Sequence, residues 1–312
     1  MKHLKTIAIL LLAAAIAFTA GCQKQPEAPL KVAALKGPTG MGLAYMMRDN
    51  TSEFSVEIYD APDALTGKFI SGEIDIAAVP VNLASVLYNK TGGEAIVIAV
   101  DTLGVLYVLE NGDSVQSVSD LSGKTIYATG QGSTPEFILN YLLEQNGVTD
   151  AKVEFVGEHA TLAAMAASGE AAIAMLPEPN VTAAMLKNDA LRVALDLTKE
   201  FETASGKSLV QGCYIVRKSV YTENKKAVEA FTEACGISVG KVNSDPGAAA
   251  LIAELGIVGS EAIAKNAIPR CNIVCITGSE MKELTDAMLN VLYEANPASI
   301  GGKLPGEDFY AE

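Results

Sequence analysis

The alternation of apolar and polar positions over residues 55–87 returns over residues 152–184, at a constant offset of 97 positions. SVEIYDAPDALTGKFISGEIDIAAVP in the first copy corresponds to KVEFVGEHATLAAMAASGEAAIAMLP in the second. Each copy predicts a strand, a helix, a Ser-Gly-Glu break, a short apolar strand and a Pro that opens another helix. The chain therefore contains two copies of one β-α-β-α unit.

Strands that alternate with helices predict an α/β protein with mostly parallel sheets covered on both faces. The repeat predicts two similar lobes, residues 30–104 with 213–312 and residues 105–212. The β-rich segments 104–110 and 212–218 lie between completed lobe patterns, so we expect them to be two hinge strands that join the lobes. Two lobes leave a cleft, which is a favoured place for a small-molecule site.

The start of the chain predicts a processing segment. Two Lys precede the apolar run 7–17, which is too short for a comfortable membrane span, and residues 18–22 (FTAGC) follow. This stretch resembles a bacterial lipoprotein signal, which implies removal of residues 1–21 and diacylation of the Cys22 thiol. Residues 22–29 would then form a polar tether. The alternative is an uncleaved anchor or a simple secretory peptide.

Charge narrows the possible partners. The chain carries 37 Asp and Glu against 23 Lys and Arg, a formal net charge of −14. This balance argues against nucleic acid, whose partners present a basic surface. It also opposes attraction to anionic lipid, so the acyl chains on Cys22 would provide the membrane attachment. We expect an exported protein, lipid-anchored at the outer face of the bacterial cell membrane.

The remaining cysteines predict neither a metal site nor a redox motif. Cys271 and Cys275 would lie about 13 Å apart along one strand, beyond disulfide reach. A zinc site needs more ligands than these thiols and His159, the one His outside the leader, provide. We expect structural or free thiols and no cofactor.

Four segments carry a family resemblance: SGEIDIAAVPVNLAS, DLSGKTIYATGQGSTPEFILNYLLEQNG, SGEAAIAMLPEPNVTAAM and VRKSVYTENKKAVEAF, at residues 71–85, 120–147, 168–185 and 216–231. In this order behind a lipoprotein signal, they resemble the type II periplasmic-binding-protein fold. Within it they are similar to the nitrate, sulfonate, taurine and thiamine-precursor binding family of ABC importers. The resemblance implies a cleft that closes on a small solute.

Two Gly-rich loops are the leading candidates for the binding site. Each follows a predicted strand and opens a helix, where backbone N–H groups and the helix dipole favour an anion. We expect Thr134 to cap the helix of the second loop, and the alternative for both loops is ordinary caps and tight turns. The candidates are Lys36, Gly37, Thr39, Gly40 and Met41 in the first loop and Gly130, Gly132, Ser133 and Thr134 in the second.

Further candidates follow the later strands. Asn82 and Glu178 occupy matching places after Pro80 and Pro177, a place that usually lines the cleft in the resembling family. Glu178 would accept from an amine or amidine on the solute, or would be a solvated surface carboxylate. Glu158 and His159 follow a predicted strand and would also face the cleft, although a lone His is often structural.

We therefore predict a solute-binding lipoprotein, a monomer that delivers a small organic or anionic solute to an ABC permease and its ATPase. The solute would be nitrate-, sulfonate- or taurine-like, or pyrimidine-like. The chain departs from the family's sulfonate and nitrate binders because it has no Trp and only Lys36 as a cation in either loop. The alternative is an enzyme of the same fold, menaquinone-pathway or pyrimidine-synthase-like. It is disfavoured because no catalytic triad, metal spacing or nucleotide loop is present.

Overall fold

The structure, a computed structural model, describes residues 28–311. The predicted leader, Cys22 and most of the predicted tether lie outside the described residues. Within residues 28–311, none of the helices combines the length and the apolar character that crossing a membrane requires.

Two sheets organise the described residues. Their strands are β1 (Leu30–Leu35), β2 (Phe54–Tyr59), β3 (Ile76–Pro80), β4 (Ala95–Leu103), β5 (Leu106–Asn111), β6 (Thr125–Ala128), β7 (Lys152–Phe155), β8 (Ile173–Pro177), β9 (Leu191–Asp196), β10 (Val210–Arg217) and β11 (Ile273–Ile276). The strand order is β11-β4-β10-β3-β1-β2 in the first sheet and β7-β6-β8-β5-β9 in the second.

Helices connect and cover these strands. They are α1 (Pro38–Met41), α2 (Ala44–Asp49), α3 (Pro62–Ser71), α4 (Val81–Thr91), α5 (Thr134–Gln145), α6 (His159–Ser168), α7 (Asn180–Met185), α8 (Leu197–Ser205), α9 (Lys218–Glu223), α10 (Lys225–Ser244), α11 (Ala248–Glu254), α12 (Glu261–Ala267) and α13 (Gly278–Ala295). Short 3₁₀ turns occur at Val118–Leu121, Ile268–Arg270, Pro297–Ile300 and Glu307–Phe309.

The α/β class with two similar lobes is confirmed, and the predicted repeat is visible in three dimensions. β1 pairs in parallel with β2 and β3, and β6 pairs in parallel with β7 and β8. The Ser-Gly-Glu breaks end α3 and α6 in the same way, at Gly72 with φ 83° and Gly169 with φ 84°. Gly is favoured at both because a left-handed cap is strained for other residues.

The sheets are mixed, a correction to the expectation of mostly parallel strands. β10 runs antiparallel to β3 and β4, and β5 runs antiparallel to β8 and β9. The physical reason is connectivity. The chain crosses from the first sheet to the second between β4 and β5 and returns with β10, so β5 and β10 enter their sheets from the opposite direction. Strand β11 adds a second antiparallel strand to the first sheet, beside β4.

The connection between β4 and β5, where the chain first passes from one sheet to the other, is held by hydrogen bonds and close packing. The side-chain amide of Asn272 donates to the Gly104 carbonyl at 2.5 Å, and the Leu103 N–H donates to the Asn272 carbonyl at 3.1 Å. A Cβ at Gly104 would lie 2.0 Å from Thr198 Oγ1, so only Gly fits there without a shift of the neighbouring helix. The connection between β4 and β5 is therefore fixed by its neighbours. The segments predicted as hinge strands lie in β5 and β10, which are interior strands of the two sheets.

Apolar packing is continuous between the lobes. One buried cluster contains Val79 and Val97 of the first sheet together with Val108 and Ile126 of the second. A separate cluster around Phe231 packs α10, α11 and α12 against the first sheet. The two lobes therefore share one core along the side where α13 packs.

Candidate functional site

A cavity of about 170 Å³ lies between the lobes, at the ends of β1, β3 and β8. The carboxyl ends of parallel strands are the usual ligand side of an open α/β sheet. Both lobes contribute to the wall, which consists of Leu35, Lys36, Pro38, Thr39, Pro80, Thr102, Val105, His159, Pro177, Glu178, Pro179, Asn180, Gln211 and Gly212.

Larger cavities lie elsewhere among the described residues. One of about 640 Å³ is lined by Lys218, Lys225 and Lys282 and reaches Ile96 near the start of β4, while the interlobe cavity touches Thr102 at the other end of that strand. Its ammonium groups have partners, since Lys218 pairs with Asp308 at 3.2 Å and Lys282 pairs with Asp286 at 2.7 Å. We assign the candidate site to the smaller cavity because its polar side chains come from both lobes.

The first Gly-rich loop contributes two side chains to the cavity and two residues to the core. Lys36 and Thr39 line the cavity. Lys36 Nζ pairs with Asp60 at 2.6 Å, and the Thr39 hydroxyl donates to the Leu35 carbonyl at 3.1 Å, so its lone pairs remain available to a donor. Met41 is fully buried, and a Cβ at Gly40 would lie 2.6 Å from the Leu35 carbonyl oxygen. The structure therefore places Met41 and Gly40 in the core of the first lobe.

The loop's helix also differs from the expectation. Helix α1 has four residues, too few for a substantial dipole at its N-terminus. The backbone of Gly37, with φ 94°, approaches the second lobe, and a Cβ there would lie 3.5 Å from Pro179 Cδ. The positive φ therefore favours Gly at position 37, whereas a Cβ would make only an ordinary contact with Pro179, and the helix dipole adds little to anion binding at this loop.

The second Gly-rich loop does not join the cavity wall. Gly132 is exposed, and its N–H donates to the Glu136 carboxylate at 2.5 Å. The N-cap of α5 is Ser133, one residue before the expected Thr134. Thr134 is fully buried and its hydroxyl instead donates across the cleft to Asn82 Oδ1 at 3.0 Å. The hydrogen bond between Thr134 and Asn82 joins the two lobes. Within the loop, the Ser133 hydroxyl donates to the Gly130 carbonyl at 2.7 Å.

Glu178 lines the cavity and is buried and ion-paired, which rules out the alternative of a solvated surface carboxylate. Its Oε1 lies 2.6 Å from Nε of Arg270, which belongs to the first lobe. Thr182 donates to the same carboxylate from its N–H at 3.1 Å and its hydroxyl at 3.0 Å. Burial raises the pKa of Glu178, while Arg270 and Thr182 oppose that shift.

Arg270 is the centre of this contact between the lobes. Its Nη2 donates to the Thr182 hydroxyl at 2.7 Å, and its carbonyl accepts from the Tyr107 hydroxyl at 2.9 Å. Thr182 and Tyr107 both belong to the second lobe. We call Glu178, Thr182, Tyr107 and Arg270 the interlobe network. Nothing in the run AIPRCNIV marks Arg270 as a partner of Glu178, 92 positions away, so sequence reasoning missed it.

His159 lies at the cavity, whereas Glu158 does not line it. The imidazole Nδ1 is 2.7 Å from the hydroxyl of the buried Thr129. One edge of the ring is exposed to the cleft, yet the surrounding protein desolvates it and lowers its pKa, which favours the neutral ring. Glu158 is exposed as the residue before α6.

The floor of the cavity contains buried polar atoms without partners. Within residues 28–311, Thr102 Oγ1 and Gln211 Oε1 have no hydrogen-bond partner, although both residues line the cavity. Next to Thr102, neither carboxylate oxygen of Asp101 makes a hydrogen bond of good geometry, and burial raises its pKa to about 7 although the Thr102 hydroxyl opposes this shift. Buried polar atoms normally find a partner, so unpartnered ones on a cavity wall indicate where a bound molecule would complete the bonding. The apolar context of β4 and β10 hid these residues from sequence reasoning.

Fold and cavity define a two-lobed solute-binding protein, and comparison with known proteins specifies the family. Residues 40–266 match the family model of the phosphonate ABC transporter periplasmic substrate-binding proteins. The chain therefore belongs to that family, as an extracytoplasmic substrate-binding component of an ABC transporter. This confirms the resemblance to ABC solute-binding proteins expected from the sequence. No curated protein matches the sequence.

Solved structures agree with this assignment. An ABC transporter structure from Parabacteroides distasonis shares 25% identity, with a TM-score of 0.80 over 92% of this chain and 99% of that one. The aliphatic sulphonate binding protein SsuA from Escherichia coli shares 18% identity, with a TM-score of 0.71 over 90% and 94%. The alkanesulfonate-binding protein SsuA from Xanthomonas axonopodis pv. citri, bound to MOPS, shares 16%, with a TM-score of 0.67 over 87% and 94%.

Proposed function

We propose that the protein captures a small organic oxyanion, a phosphonate or a sulfonate that also carries an amino or hydroxyl group, in the interlobe cavity. The unpartnered atoms of Thr102 and Gln211 carry this proposal. The Thr102 hydroxyl can donate to an oxyanion oxygen, whereas Gln211 Oε1 needs a donor from the solute. His159 and Asn180 at the cavity wall, and Lys36 at its rim, add donors for the oxyanion.

The size of the cavity limits the solute. Its volume of about 170 Å³ is below the ~300–1,000 Å³ of typical ligand pockets. A two- or three-carbon phosphonate or sulfonate fits this range better than a long alkyl chain. A pyrimidine would need the lobes to open further.

Calorimetry with a matched ligand set tests the proposal. We expect 2-aminoethylphosphonate or taurine to bind more tightly than methylphosphonate, ethanesulfonate, nitrate or an aminopyrimidine, because only the first two offer both an oxyanion and an amine. The substitutions Thr102→Val and Gln211→Leu should each weaken binding by about tenfold, the loss of one or two hydrogen bonds. Gln145→Leu, on the exposed end of α5, is the control. If a solute binds tightly and neither Thr102→Val nor Gln211→Leu weakens its binding, the site lies elsewhere.

We further propose that the chain is attached to the membrane through lipid on Cys22 and acts as a monomer beside its permease and ATPase. The proposal rests on residues 18–22 and the polar segment behind them. Cys22→Ser should release the protein into the soluble fraction, with loss of the acyl mass in intact-protein mass spectrometry. A variant that stays membrane-bound, with a wild type that carries no lipid, would refute the anchor.

The enzyme alternative makes an opposite prediction. A receptor returns its solute chemically unchanged, whereas an enzyme of this fold would convert it. Incubation of the purified protein with the bound solute, followed by mass spectrometry of the small-molecule fraction, distinguishes them. We expect full recovery of the unmodified solute, and a product that accumulates with time would favour the enzyme.

A further inference from the structure

The thiols of Cys235 and Cys275 lie between α10 and β11 in the first lobe. Cys235 is fully buried in α10, and Cys275 on β11 is partly exposed. The Cys275 thiol donates to the Thr232 carbonyl, one turn before Cys235, at 3.5 Å. Cys235 lies close enough to Cys275 for the two thiols to affect each other's titration. They are therefore neighbours although 40 positions separate them in the chain.

Further contacts hold β11 against α10 near Cys235 and Cys275. Beyond this pair, the Asn243 side chain of α10 donates to the Ile273 carbonyl of β11 at 3.0 Å. The helix and the strand are therefore in contact both at the two thiols and two turns further along the helix.

The Cys235–Cys275 pair differs from the other two described cysteines in exposure. Cys213 and Cys271 are fully buried, whereas Cys275 has a partly exposed thiol beside a buried one. The hydrogen bond from Cys235 lowers the pKa of the Cys275 thiol. A partly exposed thiol with increased thiolate character is the one that attacks a disulfide first.

We propose that Cys235 and Cys275 form a reversible disulfide that links α10 to β11 when the exported protein meets a disulfide oxidant. The Cys275 thiolate attacks an organic disulfide and releases one thiolate. The Cys235 thiolate then attacks the Cys275 sulfur and releases the second. The two protein thiols lose two electrons, the organic disulfide gains them, and the two thiol protons pass to the two released thiolates.

The location gives the disulfide a structural consequence. Strand β11 follows the segment of Arg270, which pairs with Glu178 of the second lobe, and Asn272, which bonds to Gly104 at the crossing between the lobes. A link from β11 to α10 would fix this segment to the first lobe. Closing a loop of about 40 residues should raise Tm by about 5–10 °C for a chain of this size.

Oxidised glutathione is the probe for this proposal. The full-length protein is reduced, treated with the probe, quenched in acid and alkylated after denaturation. Peptide mapping should show the Cys235 and Cys275 peptides joined, with the mass of both minus two hydrogens, and Cys213 and Cys271 alkylated. The Tm rise should disappear in Cys275→Ser and persist in Cys213→Ser. This mapping needs no ligand, so its outcome is independent of the proposed function.

Two results would overturn the proposal. One is recovery of both Cys235 and Cys275 in alkylated form after oxidation of the wild type. The other is a disulfide that joins either residue to a different cysteine. Because the mapping is made on the wild type, a folding defect in a Cys variant does not affect this test.

Discussion

At the scale of single residues, burial decides which polar groups can act. Asp101 is 1% exposed, and the neighbouring Thr102 hydroxyl offsets the burial of its carboxylate only in part. Glu178, equally buried, has Arg270 and Thr182 as partners. The two acids therefore differ in consequence: Glu178 contributes to the contact between the lobes, whereas an ionised Asp101 would be an uncompensated buried charge beneath the cavity floor.

The raised pKa of Asp101 predicts a pH-dependent stability. With a pKa of about 7 in the folded state against 3.8 ordinarily, the folded protein holds a proton that the unfolded chain releases between these pH values. Stability should therefore fall as pH rises through this window, by up to about 1.4 kcal/mol per pH unit. Urea unfolding of Asp101→Asn should show a smaller loss between pH 5 and pH 8 than the wild type, and a more stable protein at pH 8. The control is Asp113→Asn, which changes an exposed aspartate. If the stability of Asp101→Asn and of the wild type depends equally on pH, the raised pKa does not belong to Asp101.

At the scale of elements, the order of strands and helices follows the sequence pattern, and the deviations have local causes. The cap of α5 falls on Ser133 because Thr134 is drawn to Asn82 in the other lobe. The first Gly-rich loop contains the short helix α1 because Gly40 lets the chain fold back onto the end of β1. Glycines of this loop thus serve packing as well as the cavity.

A pair of Gly→Ala substitutions tests this reading of the loop. At Gly40 a Cβ would lie 2.6 Å from the Leu35 carbonyl and 3.1 Å from Ile257 Cγ2, so Gly40→Ala should destabilise the protein by about 1–3 kcal/mol. At Gly67, inside α3, a Cβ meets no atom within 4 Å, so Gly67→Ala should stabilise by up to about 1 kcal/mol. Denaturant midpoints measure both. Equal midpoints for the two variants would show that Gly40 is not required by packing.

At the scale of the whole molecule, polar contacts hold the lobes against each other without a solute. The interlobe network and the Thr134–Asn82 hydrogen bond lie on the cleft side, and a shared apolar core lies behind them. Opening must break the Glu178–Arg270 pair, which would leave Glu178 exposed to water or unpaired. A solute therefore binds to a closed arrangement that the protein already favours, so it need supply only part of the closing free energy.

Removal of Arg270 should shift this equilibrium towards the open form. Arg270→Gln leaves Glu178 without its ion pair, which should cost the closed form about 1–3 kcal/mol after allowance for the partly exposed guanidinium. Small-angle scattering without solute should then show a larger radius of gyration than for the wild type. The control is Arg217→Gln, which breaks a 2.6 Å pair with Asp75 inside the first lobe. An unchanged radius in Arg270→Gln, or an equal increase in the control, would refute the role of the interlobe network.

The sequence by itself determined the repeat, the two α/β lobes, the family and the place of the first loop at the cleft. The repeat, the lobes and the place of the loop follow from local periodicity and caps, which neighbouring residues encode, whereas the family follows from the resemblance that four segments carry. Only the tertiary structure decided that Glu178 pairs with Arg270, that Thr134 bonds to Asn82, and that Thr102 and Gln211 leave unpartnered atoms at the cavity. The reason is physical: such contacts depend on how the two lobes meet and how the β4–β5 crossing aligns them, and no local pattern in the chain records that geometry.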